Sequence, residues 1–323
     1  MTPGARTVFL GSGGFAVPIL EALTTSPSVD VVGIVTAPAR PVGRRQVPTP
    51  TLVAGWADAH GLTVAAPERL RTSEGVAAIA AYRPELLVLA DYGRIVPQSI
   101  LDLAPSGALN VHPSLLPRHR GAAPIPAAIL AGDAMTGVTV MQMDAGLDTG
   151  PIVAVRAFPL RGDEEAPHLE TQLAAEGAAL LVQILPDWLA GRLAPIAQAS
   201  DGVTLTRPLK REDGRLDPVR PAADLERQVR ALKPWPGTFI DTDAGRVAVL
   251  AARAAPASAG DVTPGRLVGI VDGGLAIVTV DGRLALLHVQ PAGGRPMSGA
   301  ELVRGRPHLL GSDVRAADLG KGR

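Results

Sequence analysis

The sequence predicts an α/β domain built on a mostly parallel sheet, followed by a small antiparallel β-barrel of the OB type. Three observations carry this expectation. The first half alternates short, continuous apolar runs with helical patterns, as strands buried on both faces by crossover helices do. Beyond about residue 204 the helices give way to closely spaced short strands joined by glycine-containing turns. The chain has 323 residues, 46% of them hydrophobic and 19% charged, so it can fill two cores at roughly 150 residues per domain.

The elements follow in order. Val8-Phe9-Leu10 reads as a strand that runs into Gly11-Ser12-Gly13-Gly14, with helical apolar spacing from Val17 to Leu23. Val31 to Val35 is the next buried strand, Val76 to Tyr82 a helix, and Leu86 to Ala90 and Ala108 to His112 two further strands. Gly137 to Met143 and Gly150 to Ala157 add strands, and Glu170 to Leu189 is a long closing helix. The polar stretch from Gly191 reads as a linker. Thr238 to Asp241, Arg246 to Ala251, Leu267 to Val271, Leu275 to Val280 and Leu284 to Val289 are then five short strands, set apart by turns such as Asp243-Ala244-Gly245 and Asp281-Gly282. The expected organisation is a first domain over 1–190, a linker over 191–205, a barrel over 206–311 and a tail over 312–323.

Composition narrows the chemistry. Cysteine is absent, which removes disulfides, thiolate metal sites and a cysteine nucleophile. Without a second clear ligand pair near His112 and His119, no metal is expected. No apolar run approaches the length of a membrane span, so no membrane partner and a cytoplasmic location are expected. The net charge is zero but unevenly spread: residues 1–190 carry 12 arginines against 17 acids, while residues 191–323 carry 19 cations against 14 acids. The second half therefore suits a polyanion better than the first.

Gly11-Ser12-Gly13-Gly14-Phe15-Ala16 fits a dinucleotide-binding turn. Such a turn needs an acid at the end of the second strand to hold a ribose, and this chain has Val35-Thr36-Ala37 there. A glycine turn for close strand–helix packing, or one lining another substrate, is the better reading, and NAD is not expected.

Asn110 and His112 carry more. Two apart on one strand, they leave the same face at its C-terminal end, where open parallel sheets place their ligands. A carboxamide and an imidazole side by side suit a reaction that develops an oxyanion, the first donating hydrogen bonds and the second moving a proton. Asp144 and Asp148, in the Gly-flanked turn Met141 to Pro151, are both available to orient the imidazole, and an acid beside it would raise its pKa.

Asn110, His112, Ser114-Leu115-Leu116-Pro117, Arg120-Gly121-Ala122 and Leu147-Asp148-Thr149-Gly150 resemble the folate-dependent formyltransferases. With Arg40-Pro41-Val42-Gly43-Arg44, Pro234-Trp235-Pro236-Gly237 and Gln290-Pro291-Ala292-Gly293, the chain is similar over nearly its whole length to the methionyl-tRNA formyltransferase family. The resemblance implies a Rossmann-like formyltransferase domain followed by an OB-like tRNA-binding domain. It implies 10-formyltetrahydrofolate as co-substrate and initiator methionyl-tRNA as acceptor, with the chain acting as a monomer. Asn110, His112 and Asp148 match the catalytic trio, with His112 protonated to help hold the oxyanion. Ser114, Leu115, Leu116 and Pro117 match the folate-binding segment, and Ala90, Asp91, Tyr92 and Ile95 would form another wall of that pocket. Arg40, Arg44, Arg45, Lys210 and Arg295 are the expected tRNA contacts. Two alternatives stand beside this reading: a formyltransferase acting on an amino sugar or other small amine, and a non-catalytic folate-sensing RNA-binding protein.

Overall fold

The computed structural model describes residues 4–42, 46–261, 263–270 and 274–315. They form two compact units. The first takes the chain up to Ile125 with Ala134–Leu160 and His168–Arg207, and the second takes Pro126–Asp133, Arg161–Pro167 and the chain from Pro208.

In the first unit, β1 (Ala5–Gly11) leads through the glycine turn into α1 (Ala16–Thr25), and β2 (Val29–Val35) returns parallel to β1. A short arm of β3 (Arg40–Val42) and β4 (Val47–Thr49) precedes α2 (Leu52–Ala59) and the edge strand β5 (Val64–Ala65). Next come α3 (Ser73–Ala80), β6 (Leu86–Ala90), α4 (Gln98–Leu101) and β7 (Ala108–His112). The strands β6 and β7 stand where the apolar runs put them, and all five residues of β6 are buried, as a two-face-covered strand requires. Then follow β8 (Arg120–Gly121), α5 (Pro124–Ala131), of which the residues from Pro126 belong to the second unit, β9 (Met135–Gln142), β10 (Ile152–Pro159), α6 (Ala166–Leu189), whose first two residues belong to the second unit, and β11 (Leu205–Thr206). The helix α6 begins four residues before the expected Glu170, with Pro167 in its first turn, where a missing N–H leaves no bond unmade.

The main sheet runs β10-β9-β7-β6-β1-β2-β5. The five strands from β7 to β5 are parallel, and β9 and β10 turn antiparallel at the other end. The chain lays β1, β2 and β5 toward one edge and then crosses back to β6 and β7. The strand order therefore switches between β1 and β6, and a crevice opens there beyond their C-terminal ends. Gly177 lets α6 lie close on the sheet: a Cβ there would meet the Val111 side chain at 2.8 Å.

The segment expected as a linker is not slack chain. Ile196 bridges Ile152 through two backbone hydrogen bonds of 2.7 and 2.8 Å, and β11 pairs in parallel with β8. Polar composition suggested exposure, yet the Gln198, Thr204 and Thr206 side chains are spent on backbone groups of the first unit.

In the second unit α7 (Ala222–Ala231) packs Leu225 and Val229 on an antiparallel sheet. Its strands are β12 (Thr238–Thr242), β13 (Gly245–Pro256), β14 (Leu267–Gly269), β15 (Leu275–Val278), β16 (Gly282–Pro291) and β17 (Met297–Ser298). The order is β12-β13-β16-β15-β14, with β17 against β16, and the sheet curls into an OB-like half-barrel around Ile240, Val247, Val249, Leu275, Ile277 and Leu286. A capping box of Ser298 and Glu301 starts α8 (Gly299–Gly305). Trp235, between two prolines, is 55% exposed.

Candidate active site

The C-terminal end of β7 places Asn110 and His112 on one face, and the 143–151 loop brings an acid to both. Asn110 Nδ2 donates to Asp148 Oδ1 at 3.4 Å, and His112 Nδ1 lies 3.7 Å from Asp148 Oδ2. The backbone N–H of Gly121 also donates to Asp148 Oδ2, at 2.8 Å. Of the two acids in that turn, Asp148 faces the imidazole. Asp144 is taken up within the turn, accepting from Thr149 Oγ1 at 2.7 Å and from the Gly146 N–H.

His112 is buried, and its Nε2 lies 3.0 Å from the carbonyl oxygen of His119. A carbonyl only accepts, so Nε2 carries the hydrogen, and in the neutral ring Nδ1 presents its lone pair toward Asp148. Burial pushes the His112 pKa below its ordinary value; Asp148 and the His119 carbonyl pull it back up only in part. The acid raises the pKa of the imidazole as expected, but the net shift is downward, so the expected resting imidazolium is disfavoured. Desolvation outweighs the carboxylate in this pocket.

The loop that follows is held from several sides. Asp148 has a φ of +51° and His119 one of +58°. Gln198 Nε2 donates to the carbonyls of Asp148 and Gly150 at 2.8 and 2.7 Å, while its Oε1 accepts from Arg120. Thr204 Oγ1 accepts from the His119 N–H at 2.7 Å. Sequence reasoning missed Gln198, Thr204 and the His119 carbonyl, because nothing in their residue types marks a bond to a backbone group far along the chain. Gly121 was seen in a motif, but not its backbone donation.

The expected folate residues fall into two groups. Ser114 and Leu116 are buried, and Leu115 packs beside Gly137. Ser114 Oγ donates to the Arg118 carbonyl at 2.7 Å and Thr139 Oγ1 donates to the Ser114 carbonyl, so Ser114–Pro117 with its cis Leu116–Pro117 bond shapes the site from behind. On the β6 side Ala90 and Tyr92 are buried, while Ile95 is 67% exposed. Leu147, on the loop of Asp148, is also exposed.

Asp91 sits at the switch point. Its carbonyl accepts from the N–H groups of Ser12 and Gly13, and its carboxyl lies against Gly13, where any Cβ would collide. Desolvation, then the Glu170 carboxylate, raises its pKa to about 7, although the residue as a whole stays open to solvent. Glu170 in turn lies against Gly14. Two acids therefore stand beside the glycine turn.

Of the expected tRNA contacts, Arg40 is exposed on the β3–β4 arm of the first unit, and Lys210 and Arg295 are exposed on the second. Arg44 and Arg45 lie outside the described residues. Among the described residues no group of acids and histidines could hold a metal, and no helix is long and apolar enough to cross a membrane.

Comparison with known proteins bears on this geometry. The formyl transferase family matches residues 5–185, and the formyl transferase C-terminal domain matches residues 208–307. The methionyl-tRNA formyltransferase of Halorhodospira halophila is 46% identical over 310 residues, covering 96% of this chain and 99% of that protein. That of Thermus thermophilus is 41% identical over 300 residues, covering 93% and 96%. Among solved structures, HypX from Aquifex aeolicus in complex with tetrahydrofolic acid shares the fold, with a TM-score of 0.62 at 18% identity over 93% of this chain and 47% of that one. The sugar 3N-formyl transferase WlaRD also gives 0.62, at 15% identity over 87% and 97%.

Proposed function

The chain belongs to the formyl transferase family, and on that premise we propose how its residues divide the work of the reaction. That reaction is the transfer of a formyl group from 10-formyltetrahydrofolate to the amino group of methionyl initiator tRNA, for translation initiation. The folate supplies a formyl group carried on nitrogen. Asn110 has two amide hydrogens, one directed at Asp148; the other donates to the formyl oxygen as negative charge builds on it. His112, neutral at rest, accepts at Nδ1 the proton that the attacking amine sheds. Asp148 stabilises the imidazolium so formed. The same proton then passes to the folate nitrogen as the C–N bond breaks, so His112 ends as it began. The arrangement that carries this reading is the His119 carbonyl on Nε2, which leaves Nδ1 as the basic atom beside Asp148.

Ile95 and Leu147 offer an apolar surface to the folate ring, with Ala90, Asp91 and Tyr92 forming the floor and Ser114–Pro117 the backing. Arg40, Arg44 and Arg45 serve the acceptor end of the tRNA. Lys210 and Arg295 serve its phosphates from the stretch beginning at Pro208, which carries a net charge of +4. The chain works as a monomer in the cytoplasm, to be checked by light scattering and cell fractionation.

The deciding assay supplies the folate donor with charged initiator tRNA, and adds free methionine or an amino sugar as competitor. Formylation of the tRNA, undiminished by either competitor, is expected. Preferential formylation of the sugar would favour the small-amine alternative, and binding of both substrates without turnover the non-catalytic one.

A further inference from the structure

We infer that His119, held in place by Thr204, is a positioning residue for His112. Its carbonyl decides which ring nitrogen of His112 carries the hydrogen, and its own imidazole is a second titrating group that weakens the base when it takes up a proton. This rests on the division of work proposed above, in which Nδ1 of a neutral His112 accepts the proton of the amine.

A neutral imidazole has one N–H, and here it stands between two acceptors. Asp148 Oδ2 lies 3.7 Å from Nδ1, and the His119 carbonyl oxygen lies 3.0 Å from Nε2. With the hydrogen on Nδ1 it would point at the carboxylate, and the basic atom would face a carbonyl oxygen instead of the amine. The shorter contact keeps the hydrogen on Nε2, so the base depends on where the His119 carbonyl stands. The backbone does not take up that placement unaided. His119 is buried and has a φ of +58°, in the left-handed region that side chains disfavour. Thr204 holds it there. Its Oγ1 accepts from the His119 N–H at 2.7 Å and lies 3.3 Å from His119 Nδ1, so one hydroxyl engages both the backbone and the ring of a residue 85 positions earlier.

The ring adds a charge to this. Asp148 favours the His112 imidazolium, and the His119 ring opposes it. The elements around the pair bring little else. Strands β6 and β9, on either side of β7, carry no charged residue. The 143–151 loop adds Asp144, which is taken up by Thr149 and Gly146. In the 196–206 segment the sole charged residue, Asp201, is exposed. Arg118 and Arg120 flank His119 in the chain, and the Arg120 guanidinium is tied to Gln198 Oε1 at 3.0 and 2.7 Å. A proton on His119 therefore sets a positive charge beside the imidazolium that the reaction has to form, and the two rings titrate as a pair. The carbonyl acts at every pH, and the ring acts only once it is protonated.

The test uses the full chain with isotope-labelled histidine, followed by NMR, and the variants Thr204→Val, Thr204→Ser, His119→Asn and His119→Gln. Asn tolerates the left-handed backbone and keeps the carbonyl, while Gln fills more of the space of the ring. In the wild-type chain the His112 ring nitrogens should report the hydrogen on Nε2 at neutral pH and should titrate in two steps. Thr204→Val frees the carbonyl, so the hydrogen should pass in part to Nδ1, and kcat should fall about tenfold with KM for both substrates unchanged. Thr204→Ser keeps the hydroxyl and should restore both. In His119→Asn, or in His119→Gln if that alone folds, the hydrogen should stay on Nε2 and the second step should vanish. The acid limb of kcat should then move to higher pH, because the charge that opposed the His112 imidazolium is gone. One-step titration of wild-type His112, with the limb unmoved in the His119 variants, would overturn the role of the ring. An undisturbed Nε2 hydrogen and wild-type kcat in Thr204→Val would overturn that of the carbonyl. The resonances are read without substrate, so a wild-type chain that shows them and formylates nothing would instead overturn the reading of function.

Discussion

Replacing Asp148 with Asn keeps the outline of the side chain and removes its charge. In the structure the carboxylate lies 3.7 Å from His112 Nδ1. At an effective dielectric constant of about 20, a full charge pair at that separation is worth about 4 kcal/mol, or roughly 10³ in rate. The amide retains an oxygen for the Gly121 N–H, so part of the local order survives, and we expect kcat to fall by about 10²–10³. The pH profile supplies the second readout. Transfer needs neutral His112, so the rate declines on the acid side as pH drops through the pKa of that ring. Burial lowers this pKa and Asp148 opposes the lowering, so the variant should move the acid limb to still lower pH. The assay is kcat for formylation of charged initiator tRNA across the range in which the limb is seen, with thermal melts to show that the variant folds. A kcat within tenfold of wild type and an unmoved limb would mean that Asp148 merely braces Gly121.

Asn110→Ala should cost about 10²–10³ in kcat, the usual loss of one oxyanion donor, with folate affinity little changed by titration. Gln198→Ala leaves the carbonyls of Asp148 and Gly150 without their donor; it should cost about 1–3 kcal/mol of stability in denaturant melts, together with roughly a tenfold fall in kcat. Asp91→Asn addresses linkage. With a folded pKa of about 7 against an ordinary 3.8, the native state holds the Asp91 proton more tightly than the unfolded chain, so this group's contribution to stability declines as pH rises from about 4 to 7. The melting advantage of the Asn variant should grow through that window and level off above it; equal differences at pH 5 and 8 would refute this. Affinity for tRNA should weaken steeply with salt, in log–log proportion to the number of phosphate contacts, while folate affinity changes far less.

The sequence made the scaffold legible wherever one rule governs a segment. Leu86–Ala90 is a wholly apolar run and Ala108–His112 alternates apolar residues with Asn110 and His112; both are bounded by breakers, and β6 is buried throughout. The pairing of Asn110 with His112 follows from the two-residue period of a strand. Five of the six strands described in the second unit were legible from their turns; β17 was not, and Val271, the expected end of the third, lies outside the described residues. Where the outcome depends on competition between opposing terms, or on partners far along the chain, the sequence was silent. The sign of the His112 shift is set by how completely the fold excludes water from the ring, which the neighbouring acid cannot reveal. The role of residues 196–206 depends on Gln198, Thr204 and Thr206 meeting particular backbone atoms some 50 to 85 positions earlier, and a polar stretch between two domains gives no hint of that.

Gln198 also sets where this protein can be cut and rejoined. It lies after the last turn of α6 and before the chain passes to the second unit, yet it clamps both Arg120 and the loop of Asp148. A chimera that grafts a foreign partner domain onto the end of α6 would carry the whole sheet and every residue of the trio, but would leave the trio's loop unclamped. The seam belongs after Arg207, beyond the β8–β11 pairing. Placed there, the transplanted enzyme keeps its clamp whatever it is joined to; placed seventeen residues earlier, it depends on the newcomer to supply one.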